Sequence, residues 1–360
     1  MFDEFYRLDE RRLLDCLQYW GVCKCVVCSA LSGADPAGPA IETTHMDISV
    51  VLATYNRSAS LSVTLESFSS LVSPAGLSWE LLVVDNNSTD ATREVVGRFA
   101  KTAGFPIRYI FEKKQGKSIA LNAGVAEARA EIIAFTDDDV LLHHDWLAHL
   151  KRTFDEVDCA AVAGKVVPQW NHPKPDWLRM EGQFAVTNFD QGEEPKGIGV
   201  PPIGANSAFR KEVFREYGLF RIDLGPNSNR HTITCEDWEF GERLLRAGEK
   251  IAYCPHAIVY HPVDPSRTTK KYFLSWYYYN GISLTRTAGL PREGIFWFGI
   301  PRWLYRELLG NFARWVFTLQ PDRRFSRKLN AYRSFGNIVE SYRLSHGEGG
   351  SHVLDRPLQL

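Results

Sequence analysis

The features that the chain lacks exclude several protein classes. No stretch reaches the roughly 18 uninterrupted apolar residues of a membrane-spanning helix, and the N-terminus lacks the pattern of a signal peptide. The formal net charge of -1 is far from that of a general nucleic-acid binder. We therefore expect a cytoplasmic protein without a nucleic-acid partner.

Common phosphate loops and zinc patterns are also missing. The segment Lys114–Gly124 contains glycine and opens a predicted helix, so its N–H groups and Lys117 can meet phosphate. Its spacing is neither that of a Walker loop nor that of a dinucleotide-binding turn, which argues against a nucleotidyl or phosphoryl transferase. We expect no redox cofactor. The Cys23-x-Cys25-x₂-Cys28 cluster lacks the paired spacing of a structural zinc site.

The chain divides by composition into four regions. Residues 1–46 read as an irregular extension and residues 346–360 as a disordered tail. Residues 47–262 show regular apolar periodicity. Residues 263–345 read as a basic, aromatic, helical region, because residues 265–345 hold 14 Lys and Arg against four Asp and Glu.

Alternating strands and helices identify residues 47–262 as an α/β domain. The predicted strands are Ile48–Ala53, Leu81–Val84, Ile107–Phe111 and Ile132–Thr136. Helical patterns separate them, which predicts right-handed βαβ units. We expect a Rossmann-like, mostly parallel sheet with helices on both faces.

Polar residues follow the strands at their carboxyl ends, where open α/β sheets bind ligands. Thr54, Tyr55, Asn56 and Arg57 follow the first strand, and Asp85 directly ends the second. Thr54 and Tyr55 can offer a hydroxyl and an aromatic face to a base, and Asp85 can accept from a ring N–H or a sugar hydroxyl. Part of this polarity is ordinary helix capping, for which Ser88 or Asp90 is suited.

Asp137, Asp138 and Asp139 come directly after the fourth strand. Adjacent carboxylates repel, so the triplet favours a compensating cation. A hard divalent ion with oxygen ligands, Mg²⁺ or Mn²⁺, fits best. The alternative is an acidic turn before the helix that begins near Asp145.

As a set, these segments resemble the family 2 glycosyltransferases of the GT-A fold. The resemblance covers residues 47–262, with a nucleotide-sugar half at about 47–140 and an acceptor half at about 141–262. It implies a nucleotide-sugar donor, with a UDP-sugar favoured. The donor-binding residues that it implies are Thr54, Tyr55, Asn56, Arg57, Asp85, Asn87, Lys117, Asn122, Asp137 and Asp138.

Later segments extend the resemblance to the acceptor side. Gly204, Ala205, Asn206 and Trp238 correspond to acceptor-side positions. The resemblance implies that the acidic pair Glu236 and Asp237 supplies the general base, with Asp237 as the base itself. One such base gives a single in-line displacement and therefore inversion. The alternative is that both acids only favour the start of a helix through its dipole.

The resemblance also implies a DxD-type metal site, with Asp139 as the main ligand and Asp137 nearer the ribose. His261, after a later apolar strand, can complete this site or be a structural histidine. Imidazole suits Mn²⁺ better than Mg²⁺. The Gln-x-x-Arg-Trp motif of processive synthases is missing, which favours single additions.

The basic region has two interpretations. Trp297, Ile300, Leu304, Leu308, Phe312, Trp315 and Leu319 recur at helical spacing, with arginines off that stripe. Such a helix can lie on an anionic membrane or simply pack on the catalytic domain. The membrane interpretation predicts a peripheral enzyme at the inner face of the membrane.

The predicted function is inverting transfer of a sugar to a hydroxyl of a glycan or lipid-linked acceptor in cell-envelope polysaccharide synthesis. The alternative is a catalytically silent GT-A domain that binds a nucleotide sugar or a partner. The intact acids argue against the alternative, because a binding module needs no base.

Overall fold

A computed structural model describes residues 46–178, 185–227 and 233–347. The predicted extension at 1–46 and the predicted tail at 346–360 lie almost wholly outside these residues, as does the cysteine cluster. The structure therefore leaves these three predictions as they were.

The first half of the sheet has four parallel strands in the order β3-β2-β1-β4. The strands are β1 (Ile48–Thr54), β2 (Trp79–Asp85), β3 (Ile107–Phe111) and β4 (Ile132–Thr136), and the helices between them are α1 (Ser58–Ser69), α2 (Thr92–Ala100) and α3 (Lys117–Glu127). This arrangement confirms the predicted alternation.

The second half continues the same sheet with mixed directions. Its elements are β5 (Leu141–Leu142), α4 (Trp146–Glu156), β6 (Ala161–Gln169), β7 (Lys196–Ile198), β8 (Asn206–Arg210), α5 (Lys211–Tyr217), α6 (Glu236–Arg246) and β9 (Ile251–Pro262). Strand β8 runs antiparallel between β4 and β6, and β9 is parallel to β6. Strands β5 and β7 both pair with β9 in antiparallel fashion.

Apolar layers cover both faces of the sheet, as expected for this α/β class. Val50 and Val51 are neighbours in β1, yet they belong to opposite layers because side chains alternate along a strand. One layer contains Trp146 from α4 and the other Phe240 from α6. A Cβ on Gly124 would lie 2.3 Å from Val51, so this glycine lets α3 pack tightly on β1.

The chain crosses the carboxyl edge of the sheet after β4. Residues 137–140 leave β4, and β5 then pairs with β9, with Leu141 opposite Tyr260. The strands β8 and β6 lie between β4 and β9 in the sheet. This crossing segment is what brings the acid triplet next to His261.

The C-terminal region is helical, as predicted. It contains a 3₁₀ turn (Pro265–Thr268), α7 (Lys270–Ala288), the short hairpin β10 (Phe296–Trp297) and β11 (Ile300–Pro301), α8 (Arg302–Phe317) and α9 (Pro321–Ser345). No helix in the described ranges is both long and apolar enough to cross a membrane.

Helix α7 connects this region to the α/β domain. Phe273 of α7 and Leu329 of α9 share an apolar cluster with Val186 and Val263. The backbone N–H of Thr234 donates to Ser283 Oγ at 3.0 Å. The boundary at residue 262 stays a prediction from sequence.

Candidate active site

A cavity of about 710 Å³ lies at the carboxyl ends of the strands. The ends of β1, β4 and β9, the start of α3 and one side of α7 form its wall. Among its lining residues are Thr54, Tyr55, Arg57, Lys117, Asp137, Asp138, Asp139, His261, Arg267, Tyr272 and Trp276. The sequence predictions for eight of these residues therefore meet in one place.

Three ligand-type side chains converge in this cavity. One atom each from Asp137, Asp139 and His261 lies within 4.8 Å of the others. His261 Nε2 is 3.4 Å from Asp139 Oδ1, and His261 Nδ1 is 3.2 Å from the carbonyl oxygen of Pro262. Nδ1 faces a carbonyl oxygen and Nε2 faces Asp139, so Nε2 is the ring nitrogen placed to meet a cation held by the acids. This donor set fits a divalent cation.

The chain also supplies cations to the acid triplet. Arg57 contacts Asp138 at 2.9 Å and Asp139 at 2.8 Å. Lys117 Nζ lies 2.7 Å from Asp137 Oδ1, and Arg267 is 3.7 Å from Asp139. Repulsion among the acids therefore does not by itself require a metal, contrary to the argument from sequence. The case for a metal rests on the convergence with His261.

Burial and these ion pairs shift the pKa values of the acids in opposite directions. Burial would raise the pKa of Asp137, but the adjacent Lys117 lowers it below its usual value. Burial raises the pKa of Asp138, only partly offset by Arg57. Asp138 Oδ2 accepts from Thr54 Oγ1 at 2.7 Å, so it faces β1, whereas Asp137 and Asp139 face His261.

The loops after β1 and β2 support each other. Asn56 and Asn87 both have positive φ, a conformation that asparagine tolerates in turns. The backbone N–H of Thr89 donates to Asn56 Oδ1 at 2.7 Å. Asp85 is buried and accepts from Tyr109 Oη at 2.6 Å and from the Ser88 N–H at 2.9 Å. These bonds hold the loops in place beside the cavity.

Three of the predicted donor residues do not line the cavity formed by the described residues: Asn56, Asp85 and Asn87. Neither does Asn122, whose side-chain amide pairs with the backbone N–H and carbonyl of Phe220. Direct donor contacts by these four residues stay predictions. Asn86, which sequence reasoning missed, lines the cavity and orders the loop before α3 by accepting from the Gly116 N–H at 2.7 Å.

The acidic pair lies at the start of α6. Asp237 Oδ2 accepts from the backbone N–H of Gly204 at 2.6 Å, and its Oδ1 from that of Trp238 at 2.7 Å. Glu236 is buried, 3.6 Å from Lys117 Nζ, and burial raises its pKa to about 7. Cys235, just before the pair, has φ 77°, which is strained backbone for a non-glycine residue. Neither acid is among the described residues that line the cavity.

The predicted acceptor segment opens β8. Asn206 is fully buried, and it accepts from Trp146 Nε1 and donates to the carbonyls of Lys165 and Ala257 at 2.8–2.9 Å. The Asn206 side chain is therefore used in structural hydrogen bonds within the sheet, which does not favour a direct contact with the acceptor. The Ala205 carbonyl accepts from Thr136 Oγ1, and Gly204 contacts Asp237. Trp238 is half-buried on α6.

Arg267, Tyr272 and Trp276 were not predicted as site residues, although all three line the cavity. The signal in the sequence was an arginine and an aromatic cluster shortly after His261. Only the return of α7 to the sheet edge shows that they face the acids.

Sequence comparisons match this chain to a protein family and to characterised relatives. Residues 49–218 match the family described as Glycosyl transferase family 2. "Succinoglycan biosynthesis protein ExoM" of Rhizobium meliloti is 30% identical over 238 residues, which cover 65% of this chain and 71% of that protein. "Glucosyl-dolichyl phosphate glucuronosyltransferase" of Haloferax volcanii is 27% identical over 247 residues, 66% of this chain and 76% of that protein.

A solved structure shares the fold. The mannosyltransferase PcManGT from Pyrobaculum calidifontis, in complex with GDP-Man and Mn²⁺, superimposes with a TM-score of 0.50 at 17% identity. The match covers 87% of this chain and 78% of that one.

Proposed function

This chain belongs to the family 2 glycosyltransferases, and from that premise we propose that it transfers a sugar, with inversion, from a nucleotide diphosphate sugar to an acceptor hydroxyl. The observation that carries the proposal is the convergence of Asp137, Asp139 and His261 beside Lys117 in one cavity. Carboxylates and an imidazole at the carboxyl edge of an α/β sheet suit a diphosphate held through a divalent cation.

Asp137, Asp139 and His261 would hold that cation, with Mn²⁺ favoured over Mg²⁺ because one ligand is an imidazole. When bound, it would supply Lewis-acid stabilisation of the leaving diphosphate. Arg57, Lys117 and Arg267 contact the acids and line the cavity, and in the proposed complex they would pair with the diphosphate oxygens. Thr54, Tyr55 and Asp85 would surround the base and ribose.

Asp237 is the proposed general base. Two backbone N–H groups fix its carboxylate, and a fixed carboxylate can take the proton of an acceptor hydroxyl that arrives beside Gly204. Glu236 lies 3.6 Å from Lys117 Nζ and would act by positioning Lys117.

The acceptor is proposed to be a glycan or a lipid-linked sugar in cell-envelope polysaccharide synthesis. The names of the two sequence relatives support this class of acceptor, one by succinoglycan biosynthesis and the other by a dolichyl phosphate. With a lipid-linked acceptor, the proposed location is peripheral, at the inner face of the membrane.

The first experiment is a thermal-shift panel of UDP, GDP, dTDP, CMP and their common sugars, with and without Mn²⁺. A metal-dependent rise in Tm for one nucleotide is expected, because a ligand that binds only the folded state stabilises it. The panel would also identify the base that the site accepts.

The same panel, combined with an assay of sugar transfer to acceptors, separates catalysis from silent binding. Asp237→Asn should keep the donor-induced rise in Tm and lose transfer. Glu239→Gln, a matched change in the same helical turn, should keep both, since Glu239 pairs with Arg243. Donor binding without transfer by the wild-type chain, across a broad acceptor panel, would favour a silent domain instead.

A further inference from the structure

The inner face of α8 already has a partner. Leu304 and Asn311 are buried, and Asn311 Nδ2 donates to Ser334 Oγ of α9 at 2.8 Å. Lys328 of α9 lies 5.2 Å from the ring of Trp315. The apolar stripe predicted from the sequence therefore does not form one exposed face, because its central part packs on α9.

The opposite side of α8, here called the outer face, carries exposed apolar side chains together with arginines. Positions 302, 306, 309, 313 and 316 recur at helical spacing and define it. The exposed apolar side chains on or beside it are Trp303, Leu309, Phe312, Val316 and Phe317. None of these positions is acidic. Exposed apolar side chains grouped in this way mark an interaction surface, so the outer face is a candidate docking surface.

The most exposed apolar residues lie at the ends of α8. Phe298, in the turn of the β10–β11 hairpin, is 85% exposed, and Leu319, just after α8, is 92% exposed. The hairpin is fixed to the helix, because Tyr305 Oη donates to the Trp297 carbonyl at 3.1 Å. With 16 residues at 1.5 Å each, α8 is about 24 Å long. An apolar strip of this length suits an extended surface better than a small ligand.

Arginines accompany the strip. Arg302 and Arg306 are exposed on the outer face, and Arg323, Arg324 and Arg327 are exposed where α9 begins. Basic residues beside interfacial aromatics attract anionic lipid headgroups. A second copy docked through the same face would bring its arginines against these, and like charges across an interface are unfavourable.

We propose that the outer face of α8, with Phe298 and Leu319 at its ends, docks on an anionic lipid bilayer. This inference rests on the proposed function in one respect: a lipid-linked acceptor is the reason why the enzyme would bind a membrane. Helix α9 joins α8 to α7, and α7 contributes Tyr272 and Trp276 to the cavity wall. Docking would thus bring the active site to the lipid surface.

The test is flotation of the full chain with vesicles of phosphatidylcholine and phosphatidylglycerol. Binding is expected to anionic vesicles and to be much weaker with phosphatidylcholine alone. A Phe298→Ser, Phe317→Ser, Leu319→Ser triple variant should lose binding. The matched control is Val72→Ser, Val157→Ser, which removes exposed apolar residues elsewhere and should bind normally. Unchanged circular dichroism and Tm would show that both variants fold.

A charge variant tests the second half of the proposal. Arg302→Gln, Arg306→Gln should weaken binding to anionic vesicles about fivefold per arginine and reduce its salt dependence. Absence of flotation by the wild-type chain, or equal flotation of the triple variant, would overturn the proposal. A wild-type chain that does not bind vesicles but forms a concentration-dependent dimer, which the triple variant no longer forms, would also overturn it. Donor-induced thermal shifts need no vesicles, so a failed docking test leaves the transferase proposal standing.

Discussion

Close approach of α7 and α9 depends on one glycine in each helix. A Cβ on Gly336 would lie 2.1 Å from the carbonyl oxygen of Tyr278, and a Cβ on Gly281 would lie 2.1 Å from that of Arg333. Ordinary contacts of this kind begin near 3.4 Å. Gly336→Ala therefore requires the two backbones to separate by more than an ångström, and no flexible side chain can yield in their place.

The size of the effect follows from two opposing contributions. Overpacking of this kind costs about 1–3 kcal/mol, and alanine in a helix gains about 0.5–1 kcal/mol over glycine. We expect Gly336→Ala to lower the free energy of unfolding by about 1 kcal/mol, the difference between the middle values of those two ranges. Gly310→Ala in α8 is the matched control, because nothing lies within 4 Å of its Cβ; it should be neutral or stabilising.

Coupling makes the prediction sharper. One separation of the helices relieves both clashes, so the Gly281→Ala, Gly336→Ala double variant should be less destabilised than the sum of the single variants. Thermal unfolding followed by circular dichroism compares the wild type, the two single variants, the double variant and the Gly310→Ala control. A Tm for Gly336→Ala equal to that of Gly310→Ala, or strict additivity in the double variant, would refute the reasoning.

Three further predictions concern the site. His261→Gln should weaken Mn²⁺ binding at least tenfold in calorimetric titration, because even changes to residues around the metal ligands reach that size. The control variant His256→Gln, at an exposed histidine, should bind Mn²⁺ normally. Equal affinities for the two variants would show that His261 is not a metal ligand. Asn206→Ala should lower the free energy of unfolding by about 1–3 kcal/mol, since it orphans the buried Trp146 N–H, and an unchanged Tm would contradict this. The pKa of Glu236 is about 7 in the folded state and 4.5 ordinarily. Between these pH values the folded state binds one more proton than the unfolded state, so the free energy of unfolding falls as pH rises. Glu236→Gln removes this slope, so its Tm relative to wild type should rise from pH 5 to pH 8; a constant difference would count against the raised pKa.

The strands and the family could be predicted from sequence because the signals are local. Apolar runs such as Ile132–Thr136 match β4 residue for residue, and each motif directly follows its strand. The helical patterns in the sequence extend over residues 58–71 and about 90–103, a few residues beyond the ends of α1 and α2 in the structure.

The rest depends on contacts that sequence spacing does not encode. The nearness of His261 to Asp139 follows from the pairing of β5 with β9. Strand β5 has two residues, which are too few to be recognised from a sequence pattern. Asn206 was assigned to the acceptor by its motif, but its strand position turns it into the sheet toward Trp146. Arg57 was assigned to the donor, and its present contact with the acids was not foreseen.

The segment that crosses from β4 to β5 has a consequence for amide hydrogen exchange. Leu141 lies opposite Tyr260 in a short edge strand, and opening of this pairing would also move Asp139 away from His261. A cation that ties those two side chains together would oppose that opening. Slower exchange of the Leu141 N–H would then report an occupied site from a residue that is not a ligand of the ion.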